Sequence, residues 1–235
     1  MSGVASPPRV LFVGGLGRSG STLLELLLAQ DPAVCALGEV VHLWQRGLID
    51  DDRCGCGERF SRCGFWQAVG ERAFGGWSRL DVAEVAALKA AVDRTRHLPW
   101  LGRARLPERK REPVARYTDL YVRVYQAALA VSGARVVIDS SKHASLAYAL
   151  RWADRLDLRV LHLVRDSRGV AYSWSKAVRR PEVTGGEQYM PRWSPLTVCT
   201  LWTVQNVAFD RLARRASVTR LRYEDLTADP EATLA

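Results

Sequence analysis

The chain has 235 residues, of which 48% are hydrophobic and 25% are charged, and eight of them are tryptophan. These values exclude an intrinsically disordered or low-complexity chain, and the length fits one large domain or two small ones. The net charge of +9 indicates an anionic partner, for which nucleic acid, an anionic membrane surface and a small polyanion are all compatible.

The apolar runs and helical patterns alternate along the chain. Short runs rich in Val, Leu and Ile predict buried parallel strands at 9–14, 135–139, 159–164 and 218–223. Helical periodicity predicts helices at 21–30, 82–96, 114–131, 144–155, 168–178 and about 196–215. This alternation predicts an α/β fold with three layers, in which a central, mainly parallel sheet carries helices on both faces.

We interpret residues 1–235 as a single domain. Two segments, 45–80 and 97–113, show less regular patterns, and long segments of this kind are often binding loops or lids. The sequence therefore predicts an irregular or helical insertion over 45–113, on the side of the acceptor substrate.

Targeting signals and membrane spans are not apparent. The apolar run 23-LLELLLA-29 contains a glutamate and is shorter than the ~20 residues that a spanning helix needs. No secretory signal precedes it, so we expect a cytoplasmic protein without a membrane span. The odd number of cysteines, five, argues against a complete disulfide framework.

The first strand leads into a glycine-rich loop, 14-GGLGRSGST-22. Its spacing nearly matches the Walker A pattern, but Ser21 occupies the lysine position and Arg18 is the only strong cation. A glycine-rich turn that opens a helix presents free amides to an anion. We therefore predict a phosphate-binding loop here rather than a plain capped turn. No strand clearly ends in the acidic residue that holds a metal in P-loop NTPases, and Asp139 and Asp166 are the only candidates for that position.

A second anion site is predicted after the third of these strands, in 160-VLHLVRDSRGVAYSWSK-176. Arg165 is placed at the strand end and Ser173 two turns into the next helix, so both can reach one anionic group. Taken alone, an ordinary arginine–aspartate pair that caps the helix explains this segment equally well.

Together the two segments resemble the PAPS-dependent sulfotransferase family, most closely its bacterial and Golgi-type members. GRSGSTLL resembles the family's loop for the 5′-phosphosulfate, and VRDSRGVAYS resembles its 3′-phosphate motif. Two further segments agree, 37-LGEV-40 and 222-RYEDLTADPEATL-234. The resemblance spans residues 9–234 and implies a P-loop NTPase-like sulfotransferase fold. It implies 3′-phosphoadenosine 5′-phosphosulfate (PAPS) as sulfuryl donor, adenosine 3′,5′-bisphosphate (PAP) as product, and no metal.

The resemblance also implies roles for individual residues. Arg165 and Ser173 take the 3′-phosphate. Tyr223 lies near the nucleotide, although a core-closing aromatic at a strand end is an alternative. The 5′-phosphosulfate is cradled by Gly17, Arg18, Ser19, Gly20, Ser21 and Thr22.

Three residues are candidates for the base that activates the acceptor: Glu39, His143 and His42. We favour Glu39 over His143, because its Gly-Glu pattern matches the family and a lone histidine is often structural. Lys142, in 138-IDSSKH-143, is interpreted as a cation that stabilises the departing oxygen, with a solvated lysine as the alternative. Arg18 would add charge stabilisation in the transition state.

Two further segments have patterns that are not specific to one function. Cys54, Cys56 and Cys63 could bind zinc with Cys35 or His42, but their spacing is not that of a standard finger, so we favour a disulfide or plain packing. The arginine-rich run 103-RARLPERKR-111 is interpreted as a solvated loop.

The sequence thus predicts sulfuryl transfer from PAPS to a hydroxyl or amine of a small-molecule, glycan or lipid acceptor, with nucleic acid disfavoured. An ATP-dependent P-loop kinase and a non-catalytic nucleotide or polyanion binder are the alternatives. In the resembled family a further segment follows Tyr-Glu-Asp-Leu, whereas this chain ends at Ala235. We therefore expect either a truncated chain or a nucleotide cover supplied in another way.

Overall fold

A computed structural model of the protein describes residues 6–180, 182–183 and 188–234. Its centre is a five-stranded sheet in which each pair of neighbouring strands is parallel, with the order β2-β3-β1-β4-β5. The strands are β1 (Arg9–Gly14), β2 (Val34–Ala36), β3 (Val136–Lys142), β4 (Asp157–Val164) and β5 (Ser217–Arg222). All four predicted strands are present, and the short run at 34–36 forms the fifth.

Ten α-helices occur in the described part of the chain. They are α1 (Ser21–Leu28), α2 (Gly64–Phe74), α3 (Val82–Val92), α4 (Leu98–Leu101), α5 (Glu108–Ser132), α6 (Ala144–Leu150), α7 (Ser167–Ser175), α8 (Pro195–Leu212), α9 (Tyr223–Ala228) and α10 (Pro230–Leu234). The six predicted helices are confirmed, with ends that differ by a few residues. None of the described helices is long and apolar enough to cross a bilayer.

The sheet separates two apolar cores, because successive side chains of a strand point to opposite faces. Val10 and Phe12 of β1 join the larger core, together with residues of α5, α6 and α8. Val13 joins the smaller core, where Leu24 of α1 and Leu226 of α9 also lie. The predicted three-layer α/β architecture is therefore confirmed.

The insertion predicted over 45–113 as irregular or helical contains helices that the sequence patterns did not place. Helix α2 lies within 45–80, buries Trp66, Val69 and Ala73, and packs against α5. Its glycines suggested a loop, but Gly70 leaves room for an indole: a Cβ there would lie 2.3 Å from Nε1 of Trp77. Likewise, helix α5 begins at Glu108, inside the less regular segment 97–113 and earlier than the predicted start at residue 114.

The predicted end of the last strand was one residue too late in the chain. Tyr223 was expected to end it, but β5 ends at Arg222 and Tyr223 is the first residue of α9. The chain turns at this point, so the tyrosine ring faces the β1–α1 loop instead of extending the sheet.

Candidate active site

All predicted site residues follow the carboxyl ends of strands. Because the sheet is parallel throughout, these ends meet at one edge, where α/β proteins bind their ligands. The loop after β1, the residues after β2 up to Glu39, the end of β3 at Lys142, and the starts of α7 and α9 all lie along this edge. The structure thus brings together segments that are up to two hundred residues apart in the chain.

The β1–α1 loop has the backbone of an anion site. Gly15, Arg18 and Gly20 adopt positive φ values of 141°, 73° and 94°, which wind the loop tightly around its own amides. In the part of the chain that the structure describes, the amides of residues 17–23 donate no hydrogen bond to another residue. These free donors and the amino end of α1 together favour a bound anion.

The side chains of the loop are equally available. Ser19, Ser21 and Thr22 make no side-chain hydrogen bond within residues 6–180, 182–183 and 188–234, although Ser19 and Ser21 are nearly buried. The guanidinium of Arg18 lies 5.4 Å from the ring centre of Trp174 and contacts the sulfur of Met190. Its Nε is buried without a hydrogen-bond partner, and no described carboxylate pairs with Arg18.

Arg165 joins this loop to the second predicted anion segment. Its Nη1 donates a hydrogen bond of 3.0 Å to the carbonyl oxygen of Arg18. Its guanidinium stacks over the ring of Tyr223 at 4.3 Å, and that ring packs directly on Gly20, where a Cβ would lie 2.3 Å from it. No carboxylate among the described residues neutralises Arg165. The alternative of an arginine–aspartate pair therefore applies to Arg168, which binds Asp166.

Ser173 lies half-buried in α7 and makes no side-chain hydrogen bond to a described residue. Its neighbour Trp174 was missed in the sequence, although it lies within the segment that carried the prediction. The indole Nε1 of Trp174 donates to the carbonyl of Gly17 at 3.0 Å, and its ring stacks on Trp193 with centroids 3.9 Å apart. Trp174 therefore fixes α7 against the β1–α1 loop.

Glu39 lies between two basic residues. Nζ of Lys142 is 2.5 Å from its Oε1, and Nε2 of His42 is 3.1 Å from its Oε2. Surrounding protein atoms raise the pKa of Glu39, but the hydrogen bond from His42 and the charge of Lys142 outweigh that effect and hold the pKa well below its usual range. Glu39 is therefore ionised at neutral pH while part of its surface stays accessible.

His143 lies beside this group, with its ring centre 6.0 Å from that of His42. Its side chain is partly exposed, yet the surrounding protein atoms lower the pKa of its imidazole to about 4, against the opposing charge of Asp93. Asp93 is itself buried and binds Lys89, Ser145 and Tyr117. His143 is therefore a neutral imidazole at physiological pH.

Glu25 was also missed as a site residue. From helix α1 its carboxylate accepts the amide of Gly38 at 2.6 Å and the hydroxyl of Ser140 at 2.7 Å. It thereby positions the residue before Glu39 and the end of β3 relative to the β1–α1 loop. A lone glutamate within 23-LLELLLA-29 was the available signal.

The two acidic residues considered as metal ligands have structural partners. Asp139 is fully buried, and its carboxylate accepts hydrogen bonds from Tyr125 and Ser141. Asp166 caps α7 through the amide of Arg168. Both carboxylates are thus already engaged in hydrogen bonds within the protein.

A cleft of about 500 Å³ opens next to Glu39. It begins at Thr22 of the anion loop and is bounded by the segment 52–55, so it connects the two parts of the candidate site. Its other lining residues combine apolar and charged side chains, among them Leu43, Phe60, Trp66, Arg46 and Glu182.

Comparison with known proteins finds a family match over the amino-terminal part of the candidate site. Residues 8–62 match the sulfotransferase family. The resemblance predicted from the sequence is confirmed over this range, which contains the β1–α1 loop and Glu39. No curated protein matches the chain.

Among solved structures, the chain is similar to the crystal structure of sulfotransferase STF9 from Mycobacterium avium, with 15% identity and a TM-score of 0.43. The alignment covers 98% of this chain and 62% of that one.

Proposed function

We propose that the protein is a PAPS-dependent sulfotransferase that transfers a sulfuryl group to a hydroxyl or amine of a small-molecule, glycan or lipid acceptor. The observation that carries this proposal is the presence of two anion-binding sites at one edge of the sheet. The free amides of residues 17–23 form the first, and Arg165 with its stacked Tyr223 forms the second. PAPS has two separate anionic groups, a 5′-phosphosulfate and a 3′-phosphate, that match this arrangement.

The loop provides the first anion site without a Walker lysine. Ser19, Ser21, Thr22 and the adjacent amides of Gly17 and Gly20 would bind the 5′-phosphosulfate, and Arg18 would approach its peripheral oxygens. Because PAPS has no γ-phosphate, Ser21 in the lysine position costs nothing for this ligand. Arg165 and Ser173 would bind the 3′-phosphate, whose bidentate recognition suits a guanidinium.

Glu39 would activate the acceptor as a base. As the acceptor oxygen bonds to sulfur, Glu39 accepts its proton, and the bond from sulfur to the bridging oxygen of the phosphate breaks. Lys142, already within 2.5 Å of Glu39, stabilises the charge that develops on that leaving oxygen, and PAP departs. In such a loose transition state, positioning and cationic stabilisation supply most of the rate enhancement.

Calorimetry with two nucleotides, PAP and AMP, tests the proposal. PAP should bind more tightly than AMP, because only PAP has the 3′-phosphate, and Arg165→Ala should remove that difference. The matched control is Arg168→Ala, since this exposed arginine lies in the same segment but is paired with Asp166. If the 3′-phosphate adds no affinity, the proposal fails.

Turnover separates the remaining alternatives. Labelled PAPS and a panel of hydroxyl and amine acceptors should yield labelled product. A preference for ATP with magnesium would instead indicate a kinase-like transferase, and tight PAP binding without transfer to any acceptor would indicate a nucleotide-binding protein.

A further inference from the structure

Three cysteines at the wall of the cleft converge on one point. The sulfur of Cys54 lies 2.8 Å from that of Cys56 and 3.3 Å from that of Cys63, and the sulfurs of Cys56 and Cys63 are 3.6 Å apart. The three residues range from buried to exposed. The sulfotransferase proposal uses none of them.

The backbone holds the first two cysteines in a tight turn. The amide of Gly57 donates to the carbonyl of Cys54, and the amide of Cys54 donates to the carbonyl of Glu58, both at 2.9 Å. Gly57 has φ of 90°, a value that glycine adopts without steric cost. The turn directs Cys56 back towards Cys54, whose sulfur also accepts the amide of Cys56 at 3.2 Å.

Helix α2 supplies the third sulfur. Cys63 is its N-cap residue, and the amide of Cys63 donates to the carbonyl of Arg59 at 2.9 Å. A bridge between Arg53 and Arg59 closes the intervening loop. Each of the three sulfurs is thus positioned by backbone hydrogen bonds that need no further ligand to form.

This arrangement suits a metal ion better than a disulfide. A disulfide joins two sulfurs at about 2.05 Å and would leave the third unused beside it. Three thiolates around one zinc ion, each at about 2.3 Å, lie roughly 3.7 Å from one another. All three observed separations are within about an ångström of this value, so small shifts would complete the site.

We propose that Cys54, Cys56 and Cys63 bind one zinc ion as thiolates, with the fourth coordination position taken by water or another small ligand. Zinc is the divalent ion that thiolate ligands favour in proteins. In the described part of the chain no fourth cysteine, histidine or carboxylate joins the group. Neither Cys35 nor His42, the candidates from the sequence, belongs to it, and His42 instead binds Glu39. The exposed Cys56 places the open position towards solvent.

The ion would have a structural role next to the cleft. Cys54 lines the cleft of about 500 Å³, and so do its neighbours Asp52, Arg53 and Gly55 and the more distant Phe60. A zinc ion would join this wall to the amino end of α2. Its loss should loosen the wall without altering the anion loop on the other side of the cleft.

Metal analysis of the purified chain tests this proposal independently of any transferase activity. Protein prepared under reducing conditions with zinc and then freed of loose ions should retain one zinc ion per chain. Cobalt in its place should give intense thiolate-to-cobalt charge-transfer absorption with the visible bands of a tetrahedral site. The Cys56→Ser variant should bind zinc at least about tenfold more weakly. Cys199→Ser, which changes an exposed cysteine on α8, should bind as the wild type does.

Three results would overturn the proposal. Wild-type protein that binds neither zinc nor cobalt under reducing conditions would exclude the site. Unchanged zinc affinity in Cys56→Ser would exclude this ligand set. Thiol counting and peptide mass analysis that show a stable disulfide between two of the three residues in the purified protein, and no metal, would favour the disulfide. The cobalt spectrum of the wild type decides the question even if a variant fails to fold.

Discussion

Two cationic residues of the candidate active site, Arg18 and Lys142, have left-handed backbones, with φ values of 73° and 68°. For residues with a side chain this conformation costs about 1–2 kcal/mol, and such strain concentrates at functional sites. Lys142 is held in place because its carbonyl accepts the amide of Gly15 at 3.2 Å. In the described ranges only Asp51 shares this feature outside glycine, so the strain is concentrated at this edge of the sheet.

Replacement of Glu39 tests its role as base. Glu39→Gln should reduce the rate of sulfuryl transfer by about 10²–10⁴-fold, because the amide cannot accept the acceptor's proton, while PAP affinity stays unchanged. Steady-state kinetics and calorimetry measure the two effects. Glu108→Gln, an exposed glutamate of α5, is the matched control. A variant that keeps the wild-type rate would remove Glu39 from the mechanism and favour His143.

The dependence of kcat/KM on pH is a second test of which residue acts as the base. The pKa of Glu39 is held below its usual range, and that of His143 is lowered to about 4, so either group is already deprotonated above about pH 5. We expect kcat/KM to stay level between about pH 5 and 7, whereas an ordinary histidine base would lose half its activity near pH 6.5. A fall centred near pH 6.5 in rapid kinetics would contradict both assignments.

Gly20 offers a test of the loop's shape. Gly20→Ala should lower the free energy of unfolding by about 1–2 kcal/mol through its left-handed backbone, and by a further 1–3 kcal/mol because the new methyl group displaces Tyr223. Gly133→Ala is the control, since Gly133 also has a positive φ but has open space around it. Denaturant unfolding and PAP calorimetry should show a larger loss of stability and a loss of affinity only for Gly20→Ala. Equal effects would mean that the contact with Tyr223 is unimportant.

At the scale of elements, strand β3 carries both structural and candidate catalytic groups. Asp139 lies inside the protein, where burial raises its pKa to about 6 against the hydrogen bonds from Ser141 and Tyr125. Its pKa in the folded state exceeds the unfolded value of about 3.9. Folding stability from this group is therefore greatest at low pH and is lost as the pH rises through about 6.

The hydrogen bond from Tyr125 should make this effect visible. Tyr125→Phe removes a donor to the ionised carboxylate, so it should cost about 1–3 kcal/mol of unfolding free energy at about pH 8 and clearly less at about pH 5, where Asp139 is protonated. Tyr148→Phe is the control, because its hydroxyl donates to the neutral carbonyl of Ala208. Urea unfolding at both pH values measures the difference. An equal penalty at both would contradict the raised pKa.

Some of the strands and helices could be predicted from the sequence and others could not. β1 and β4 are mostly apolar and β3 begins with the apolar run 136–138, so all three strands are recognised without tertiary information. Helix α2 was not placed from the sequence because Gly70, which weakens a helical pattern, is needed there to make room for the ring of Trp77. Similarly, the Arg165–Tyr223 stack joins residues from separate elements, and no local pattern predicts which arginine meets which aromatic ring.

At the scale of the whole molecule, the sheet order predicts how stability is distributed. β1 lies between β3 and β4, and its residues Val10, Phe12 and Val13 are completely buried. β5 is at one edge and is largely exposed. Local openings of low free energy should therefore occur at the edges.

Hydrogen exchange measured by mass spectrometry tests this distribution. We expect amides of β1 and β3 to exchange slowest, close to the rate set by global unfolding, and amides of β5 to exchange markedly faster. The comparison within one molecule is its own control, because all strands experience the same conditions. Equal protection of β5 and β1 would indicate that the edge is covered by part of the chain or by a second molecule.

The carboxylate of Glu25 has a consequence for substrate binding. Glu25 belongs to helix α1, whose amino end follows the anion loop. Its carboxylate accepts hydrogen bonds from the amide of Gly38, next to Glu39, and from the hydroxyl of Ser140. A donor that draws α1 towards itself would therefore also shift Glu39, the proposed base. We expect the two substrates to bind cooperatively, and thermodynamic linkage requires that each changes the affinity of the other by the same factor. A single short side chain would in this way impose communication between the two halves of a bisubstrate cleft.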